Sequence, residues 1–268
     1  TQTFNQAGQL TALIQKNPGA VLLCQTKNTY DADGHLRCSE DQIGQKTYYL
    51  YDAAGRQIAT IEADGTATET QYNANNQVSK TIRYTAAVSA TNIASLMNGS
   101  GLPNNVAWST IRPAANSKDI VRWSAYDASG RLSKTVDGIG AVTEYQYAGT
   151  SQLIGTIQYA TALTPTALAA LAALTTAPNP SDIAPVANAG SDRISRNFYD
   201  TDGKQLAQLD AEGYLTEYQY DTAGRLIHKI GYSTRTNSSL RSTGTLTQLR
   251  PLADNNNDQH NWTFYDGR

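Results

Sequence analysis

The sequence predicts a mainly β protein, built as a repetitive strip of antiparallel β-hairpins with short helical insertions. Three observations lead to this fold class. A phrase that begins with Tyr-Asp and reaches a glycine at its fifth position keeps returning along the 268 residues. Several copies follow one another at 21-residue intervals, and pairs of copies recur with an insertion behind them as a larger unit. Self-similarity of this kind is the signature of a repeat architecture, whose units are stabilised by stacking on their neighbours.

The short phrase is typical of a turn between two strands. Its aspartate can hydrogen-bond the backbone of the bend, and its glycine can take the positive φ of a bulged hairpin turn. Looser copies begin at Tyr30, Tyr72 and Tyr147, and a further one begins at Tyr265. The residues that we expect to form the structural repeat are Tyr51, Asp52, Gly55, Arg56, Tyr126, Asp127, Gly130, Arg131, Tyr199, Asp200, Gly203, Tyr220, Asp221, Gly224 and Arg225.

The residues before each turn alternate in character, which predicts half-buried strands. In the copy that ends at Tyr220, the tyrosines Tyr218 and Tyr220 share one face and Glu217 lies on the other. A glutamate recurs at this place in each larger unit, as Glu69, Glu144 and Glu217. We expect these glutamates to be ordinary solvated residues on the face opposite the tyrosines.

The larger unit contains a second turn and then an insertion. The second-turn glycines are Gly65, Gly140 and Gly213, and the tyrosines that precede the insertions are Tyr84, Tyr159 and Tyr232. We predict a single continuous array over residues 1–268, with helical insertions at about 85–118, 160–192 and 233–257. The clearest helix covers residues 164–174, because Thr164 suits an N-cap and Pro165 suits the first turn. Each insertion has a proline (Pro113, Pro185, Pro251) and ends in an aspartate (Asp119, Asp192, Asp258).

Composition narrows the classes of partner and compartment. The chain is 40% apolar and only 16% charged, with a formal net charge of −2, so it has no basic stripe for nucleic acid or an anionic membrane. No stretch has the run of apolar residues that would insert into a bilayer. Cys24 and Cys38 flank the Tyr30 turn, which leaves two alternatives: a cross-strand disulfide if the protein is exported, or two free thiols. Because the chain starts at Thr1 and stops inside a repeat, we expect a segment of a longer polypeptide.

Candidate chemical sites are few. His35, His228 and His260 occupy different phases of the repeat, so no pair has the spacing of a metal site or a catalytic triad. The Asp/Arg pairs recur in every unit, which indicates turn capping rather than an active site. Residues 254–258 resemble the start of a calcium loop, but Gln259 stands where that loop needs glycine. The sequence therefore predicts no catalytic, cofactor or metal site, and no enzyme.

The repeated phrase resembles the Tyr-Asp-x-x-Gly-Arg unit of the RHS/YD-repeat proteins, most closely at residues 51–56, 126–131 and 220–225. In that family the repeats are similar to long β-hairpin strips that spiral into hollow shells, found in bacterial toxin complexes, polymorphic toxins and teneurins. The resemblance implies a β-solenoid or shell, secreted or at the bacterial cell surface, whose partners are flanking repeats and an encapsulated toxin domain. The aspartate-proline-leucine-glycine cleavage motif of toxin-carrying members is missing from this segment. The insertions would cover strip edges or decorate the outside of a fibre.

The leading functional hypothesis is a non-catalytic structural segment in the wall of a shell or surface fibre. The alternative is an adhesin module, in which Trp108, Trp123 and Trp262 bind a carbohydrate or a receptor. Trp123 and Trp262 stand three residues before a repeat tyrosine, and this regular placement favours packing over recognition.

Overall fold

The computed structural model describes residues 1–19, 21–149, 151–252 and 256–266. The chain divides into two compact units, Thr1–Arg122 and Trp123–Arg268. The described residues form seventeen β-strands and four short α-helices. The fold is mainly β, as the sequence predicts. The continuity of the two units as a single array stays a prediction.

The first unit is a run of strands followed by an insertion. Its elements are β1 (Gln2–Phe4), β2 (Leu10–Lys16), β3 (Leu22–Tyr30), β4 (Leu36–Asp41), β5 (Lys46–Tyr51), β6 (Gln57–Ile61), β7 (Ala67–Tyr72), β8 (Val78–Arg83), α1 (Ala90–Ala94) and α2 (Trp108–Ile111). From β1 to β8, each strand pairs antiparallel with the strand that follows it. Strand β9 (Ile120–Tyr126) lies across the division between the units.

The second unit repeats this plan with two insertions. Its elements are β10 (Leu132–Asp137), β11 (Val142–Ala148), β12 (Gln152–Gln158), α3 (Pro165–Ala173), β13 (Arg193–Tyr199), β14 (Gln205–Leu209), β15 (Leu215–Tyr220), β16 (Leu226–Gly231), α4 (Leu246–Leu249) and β17 (Gln259–Trp262). Short 3₁₀ turns cover Pro180–Asp182 and Ser238–Leu240. From β10 to β17, consecutive strands again pair antiparallel.

A register shift accompanies the repeat tyrosines. In the β5–β6 hairpin, Leu50 pairs with Ala59, but Tyr51 pairs with Gln57, so the ladder skips one residue at the tyrosine. Equivalent shifts occur at Tyr30, Tyr72, Tyr147, Tyr199 and Tyr220. A bulge of this kind increases the local twist and ends regular pairing, so it sets the position of each turn.

The first and last insertions pack on a face of the sheet. In the first unit, Val88, Leu96, Trp108 and Ile111 join a core with strand residues such as Leu50, Ile61 and Ala67. In the second unit, Tyr232 and Leu249 pack with Ala207, Leu209 and Leu215. Burial of these apolar side chains against a sheet face removes apolar area from water. Coverage of strip edges by the insertions stays a prediction.

Helix α3 begins and ends close to the predicted limits. Thr164 is its N-cap, and the Thr164 hydroxyl accepts the N–H of Ala167 at 3.2 Å. Pro165 occupies the first turn, where a missing N–H costs nothing. Leu171 is buried, whereas Leu174 is exposed, so the apolar side of the helix is narrower than the leucine spacing predicts.

The two cysteines are free thiols. Cys24 pairs with Gln15 on β2, whereas Cys38 lies opposite Thr29 on one side and Tyr48 on the other. Along β3, the distance from Cys24 to Thr29 is on the order of 16 Å at a rise of about 3.3 Å per residue. The cross-strand disulfide between Cys24 and Cys38 is therefore not formed, because the register separates them.

Among the described residues, no helix is both long enough and apolar enough to span a membrane.

Candidate functional site

The Tyr-Asp phrase forms one recurrent turn. At residues 52–56, one carboxylate oxygen of Asp52 accepts the N–H groups of Ala54 at 3.0 Å and Arg56 at 2.9 Å. Gly55 has a φ of 75°, in the left-handed region that a side chain disfavours. The other carboxylate oxygen pairs with the guanidinium of Arg56 at 2.7 Å. The aspartate thus holds both the bend and the cation that follows it.

The same arrangement recurs at Asp127. This carboxylate accepts the N–H groups of Ser129 and Arg131 and pairs with the Arg131 guanidinium at 2.7 Å. The backbone N–H of Arg131 and then its guanidinium hold the pKa of Asp127 below its ordinary value. Both carboxylate oxygens of the aspartate are therefore committed to the turn, which leaves it no role as a general acid.

At six places in the described residues, a second contact joins a turn to the next hairpin; we call it the tyrosine–turn contact. The phenol of Tyr51 donates to the carbonyl of Leu36, the first residue of β4, at 3.0 Å. His35, which precedes Leu36, stacks on the Tyr51 ring at 4.7 Å. The phenol-to-carbonyl bond also joins Tyr30 to Leu10, Tyr72 to Gln57, Tyr147 to Leu132, Tyr220 to Gln205 and Tyr265 to Leu226.

The cation that ends the phrase completes this contact. Arg56 lies over the ring of Tyr72, with 4.8 Å from guanidinium carbon to ring centroid. Equivalent cations lie over the next ring at Arg131 and Tyr147, Lys204 and Tyr220, and Arg225 and Tyr265. Four phrases therefore supply an aspartate for their own turn, a cation for the next tyrosine and a carbonyl for the same phenol; they begin at Tyr51, Tyr126, Tyr199 and Tyr220.

We expect Tyr51→Phe to lower the free energy of unfolding by about 1 kcal/mol, since it removes one hydrogen bond and leaves the ring stacked on His35. Tyr49→Phe is the matched control on the same strand, because the Tyr49 phenol makes no hydrogen bond within the part of the chain that the structure describes. Urea unfolding of the two variants measures the difference. Equal losses would contradict a role for the Tyr51 phenol.

The strand glutamates are anchors for the insertions, and the prediction that they are solvated is wrong for Glu69 and Glu217. Glu69 is only 4% exposed and Glu217 only 7%. The Glu69 carboxylate accepts the Tyr84 hydroxyl and the Gln71 amide, and the Arg112 guanidinium lies 3.9 Å from it. Burial alone would raise the pKa of Glu69, but the hydrogen bonds from Gln71 and Tyr84 outweigh burial and hold the pKa below its ordinary value.

The last unit repeats this arrangement around Glu217. Its carboxylate accepts the Nε–H of Arg250 at 2.6 Å, and Tyr232 is buried beside the pair. Arg250 directly follows α4, as Arg112 follows α2, so both cations come from the end of an insertion helix. In both units, therefore, a buried glutamate on β7 or β15 pairs with the cation that follows the insertion helix. The same glutamate lies close to the tyrosine that precedes the insertion.

The middle unit uses a different cation for the same purpose. Glu144 accepts the Tyr159 hydroxyl at 2.8 Å, and its nearest cation is Lys134 at 3.9 Å. Lys134 lies directly opposite Glu144 on β10, where the other units carry Ala59 opposite Glu69 and Ala207 opposite Glu217. The Lys134 ammonium also donates to the carbonyls of Pro180 and Ile183 in the insertion, at 3.1 and 2.7 Å.

The role of Lys134 could have been found by comparing the sequences of the three larger units. The residue before the insertion proline is arginine in the first and last units, at Arg112 and Arg250, but Ala184 in the middle one. The middle unit has lysine where the others have alanine. When the three units are aligned, the middle unit lacks the arginine before the insertion proline and has Lys134 in place of an alanine, so one cation replaces the other.

The ends of each insertion are joined by its final aspartate. Asp119 accepts the backbone N–H and the hydroxyl of Thr85, at 2.8 and 2.9 Å. Asp258 binds Ser233 in the same two ways, and Asp192 accepts the N–H of Ala160 at 2.8 Å. Each partner directly follows the tyrosine that opens the insertion, so the aspartate closes the loop at its base.

Three further groups of potential ligand residues remain, one of which surrounds the sequence candidate His35. Asp31, Asp33 and His35 have ligand atoms within 4.8 Å of one another, but Asp31 is already bound by the N–H groups of its turn and by Arg37. Of the calcium-loop candidates, residues 254 and 255 lie outside the described residues. His228 and His260, which sequence spacing kept apart, are hydrogen-bonded across adjacent strands.

The tryptophans of the adhesin alternative do not form one surface. Trp108 and Trp123 are 6% and 5% exposed, so neither offers a ring face to a ligand. Trp262 is 58% exposed and stacks on His228.

Comparison with known proteins identifies the repeat. The RHS Repeat family model matches residues 30–67 and 199–235, which include the turns that begin at Tyr30, Tyr51, Tyr199 and Tyr220. No curated protein matches the sequence.

Similar solved structures include a crystal structure of TcdB2-TccC3 without its hypervariable C-terminal region, at 13% identity over 86% of this chain and 12% of that one, with a TM-score of 0.37. A structure of the Photorhabdus luminescens Tc holotoxin pore with a mutated TccC3 matches at 15% identity over 86% of this chain and 12% of that one, with a TM-score of 0.38. The chain thus spans 12% of the length of each of these proteins. The RHS repeat that the Tyr-Asp phrase predicts is confirmed at these two segments: this chain carries RHS repeats.

Proposed function

We propose that this chain is a non-catalytic wall segment of a large secreted bacterial RHS protein, and that the wall encloses a toxin domain of the same polypeptide. The family match and the mainly β fold make the chain a structural repeat segment of an RHS protein. The contacts that the described side chains make support a role in an enclosing wall.

The observation that carries the proposal is the recurrence of one set of contacts from turn to turn. Among the described residues, six phenols bind the carbonyl at the start of a return strand, and four cations lie over the next tyrosine ring. A site for catalysis is needed once, whereas a contact that holds consecutive hairpins together is needed at every repeat. The charged residues of the phrase are committed to this purpose, which favours a structural wall.

The two faces of the strip also differ chemically, as an enclosing wall requires. Taken by itself, each unit has a face that carries an insertion, held by Glu69 in the first unit and by Glu217 in the second. The opposite face presents threonines and tyrosines such as Thr216 and Tyr218, which are partly exposed. A polar face with few charges can adjoin an unrelated polypeptide without binding it strongly, because it offers neither a large apolar patch nor a strong field.

Protease protection in the full-length protein tests enclosure. We expect the polypeptide region C-terminal to the repeats to resist a protease dose that digests the same region expressed without the repeats. The second preparation is the control, since it contains the same cleavage sites. Equal digestion of the two preparations would refute enclosure and leave a surface fibre as the remaining structural function.

A further inference from the structure

His228 and His260 stand at repeat positions where the other larger units have no histidine. His228 stands eight residues after Tyr220, where the preceding larger units have Lys80 and Gly155. His260 stands five residues before Tyr265, where the others have Val121 and Ile194. A pair of histidines therefore replaces side chains that differ from it in both chemistry and size, in one copy only.

The two imidazoles meet across strands β16 and β17. His228 Nε2 lies 3.0 Å from His260 Nδ1, and His228 Nδ1 lies 3.1 Å from the side-chain oxygen of Gln219 on β15. The Trp262 ring covers His228 at 3.5 Å between centroids, with an interplanar angle of 7°. His228 is 5% exposed, so its ring is enclosed by these three neighbours.

This geometry suits neutral rings. The amide oxygen of Gln219 accepts the Nδ1–H of His228, which leaves His228 Nε2 to accept the Nδ1–H of His260. When both rings are protonated, all four ring nitrogens carry hydrogen, so two donors and two positive charges face each other at this contact. The pair therefore loses its hydrogen bond and becomes repulsive once both rings are charged.

We propose that the His228–His260 pair is a pH-sensitive contact that holds strand β17 on β16 at neutral pH and weakens in mildly acidic surroundings, below about pH 6.5. The pH response comes from the two histidines, because the other side chains that enclose His228 do not titrate. Gln219 on β15 and Trp262 on β17 are uncharged, and His260 is the one charged group that acts on His228 among the described residues. The tether between Asp258 and Ser233 lies at the start of β17 and does not involve either ring.

The direction of the response follows from the titration of His228. Burial, and then the positive charge of His260, lower the pKa of His228 in the paired state. In the released strand the ring regains the ordinary value of about 6.5, so the released state binds the proton more tightly. Pairing is therefore at full strength above about pH 6.5 and weakens as the pH falls below that value.

Hydrogen exchange of the intact protein tests the proposal. After correction for intrinsic rates, we expect the amides of Gln259–Trp262 to exchange up to about tenfold faster near pH 5.5 than near pH 7.5, the ratio set by protonation of one released histidine. The amides of Ala67–Tyr72, on a strand pair without histidine, are the internal control and should not change. In the His260→Ile variant, which restores the aliphatic residue found at Ile194, the pH effect should be clearly smaller, because only the burial of His228 then opposes its protonation.

Two results would overturn the proposal: unchanged exchange of β17 between the two pH values, or an equal acceleration in His260→Ile. If that variant does not fold, an NMR titration of the wild-type imidazoles decides the matter. The proposal requires His228 to titrate below about 6.5, and titration at or above that value would refute it. None of these outcomes depends on whether the strip encloses a toxin domain.

Discussion

Gly65→Ala should lower the free energy of unfolding by about 3 kcal/mol or more and release the first insertion from the sheet. Gly65 has a φ of 85°, and a methyl group on it would lie 2.6 Å from the carbonyl oxygen of Val88. The left-handed conformation costs alanine about 1–2 kcal/mol, and the collision with insertion backbone adds a further 1–3 kcal/mol because that backbone must move. The Val88 N–H also donates to the Gly65 carbonyl at 2.9 Å, so movement breaks this bond.

Gly44→Ala is the matched control for this prediction. Gly44 occupies a turn of the same kind in the same unit with a φ of 83°, but nothing lies within 4 Å of its added methyl group. We expect Gly44→Ala to cost only the conformational term, about 1–2 kcal/mol. Urea unfolding gives the energies, and limited proteolysis within residues 85–118 reports release of the insertion. Equal losses and equal proteolysis would show that the insertion does not rest on the turn at Gly65.

Glu217→Ala should cost about 3 kcal/mol, because it removes the partner of Arg250 from a buried site beside Tyr232. Breaking a buried charge pair on one side typically costs 3–5 kcal/mol, and the partial exposure of Arg250 places the expected loss at the lower end, near about 3 kcal/mol. The insertion that ends in α4 should become more accessible to protease at the same time. Thermal or urea unfolding of the variant measures the loss.

Glu212→Ala provides the control for the glutamate. Glu212 pairs with Arg193 at 2.5 Å, nearly the separation of Glu217 and Arg250, but both side chains of the Glu212–Arg193 pair are about half exposed. An exposed pair is worth about 0–1 kcal/mol, so this variant should be nearly as stable as the wild type. If Glu217→Ala lowered the free energy of unfolding as little as Glu212→Ala, the buried glutamate would not hold the insertion on the sheet.

The turns could be predicted because their chemistry is local. An aspartate that accepts N–H groups two and four residues later, and a glycine with positive φ, need no information from elsewhere in the chain. Helix α3 is predictable for the same reason, since Thr164 and Pro165 mark its start. Helix α4 carries a comparable signal, because Thr245 and Gln248 form a capping box.

The buried face could not be predicted from alternation alone. The alternation of a β-strand places Tyr218 and Glu217 on opposite faces, but it does not indicate which face is buried. Polarity favours the glutamate as the solvated residue, yet the insertion brings Arg250 and Tyr232 to it and makes burial tolerable. Lys134 is recognisable only when the repeats are compared with one another, and the contact between His228 and His260 depends on how the chain returns after an insertion.

Electron cryo-microscopy of the full-length protein tests the central claim most directly. That claim is a strip of hairpins joined by tyrosine–turn contacts, with insertions seated on the glutamate face of a protein wall. We expect density in which residues 1–268 form consecutive hairpins within a continuous wall and in which α2 and α4 lie over Glu69 and Glu217. A map in which these glutamates face solvent with the insertions detached, or in which the segment folds as an isolated globule outside any wall, would contradict the account.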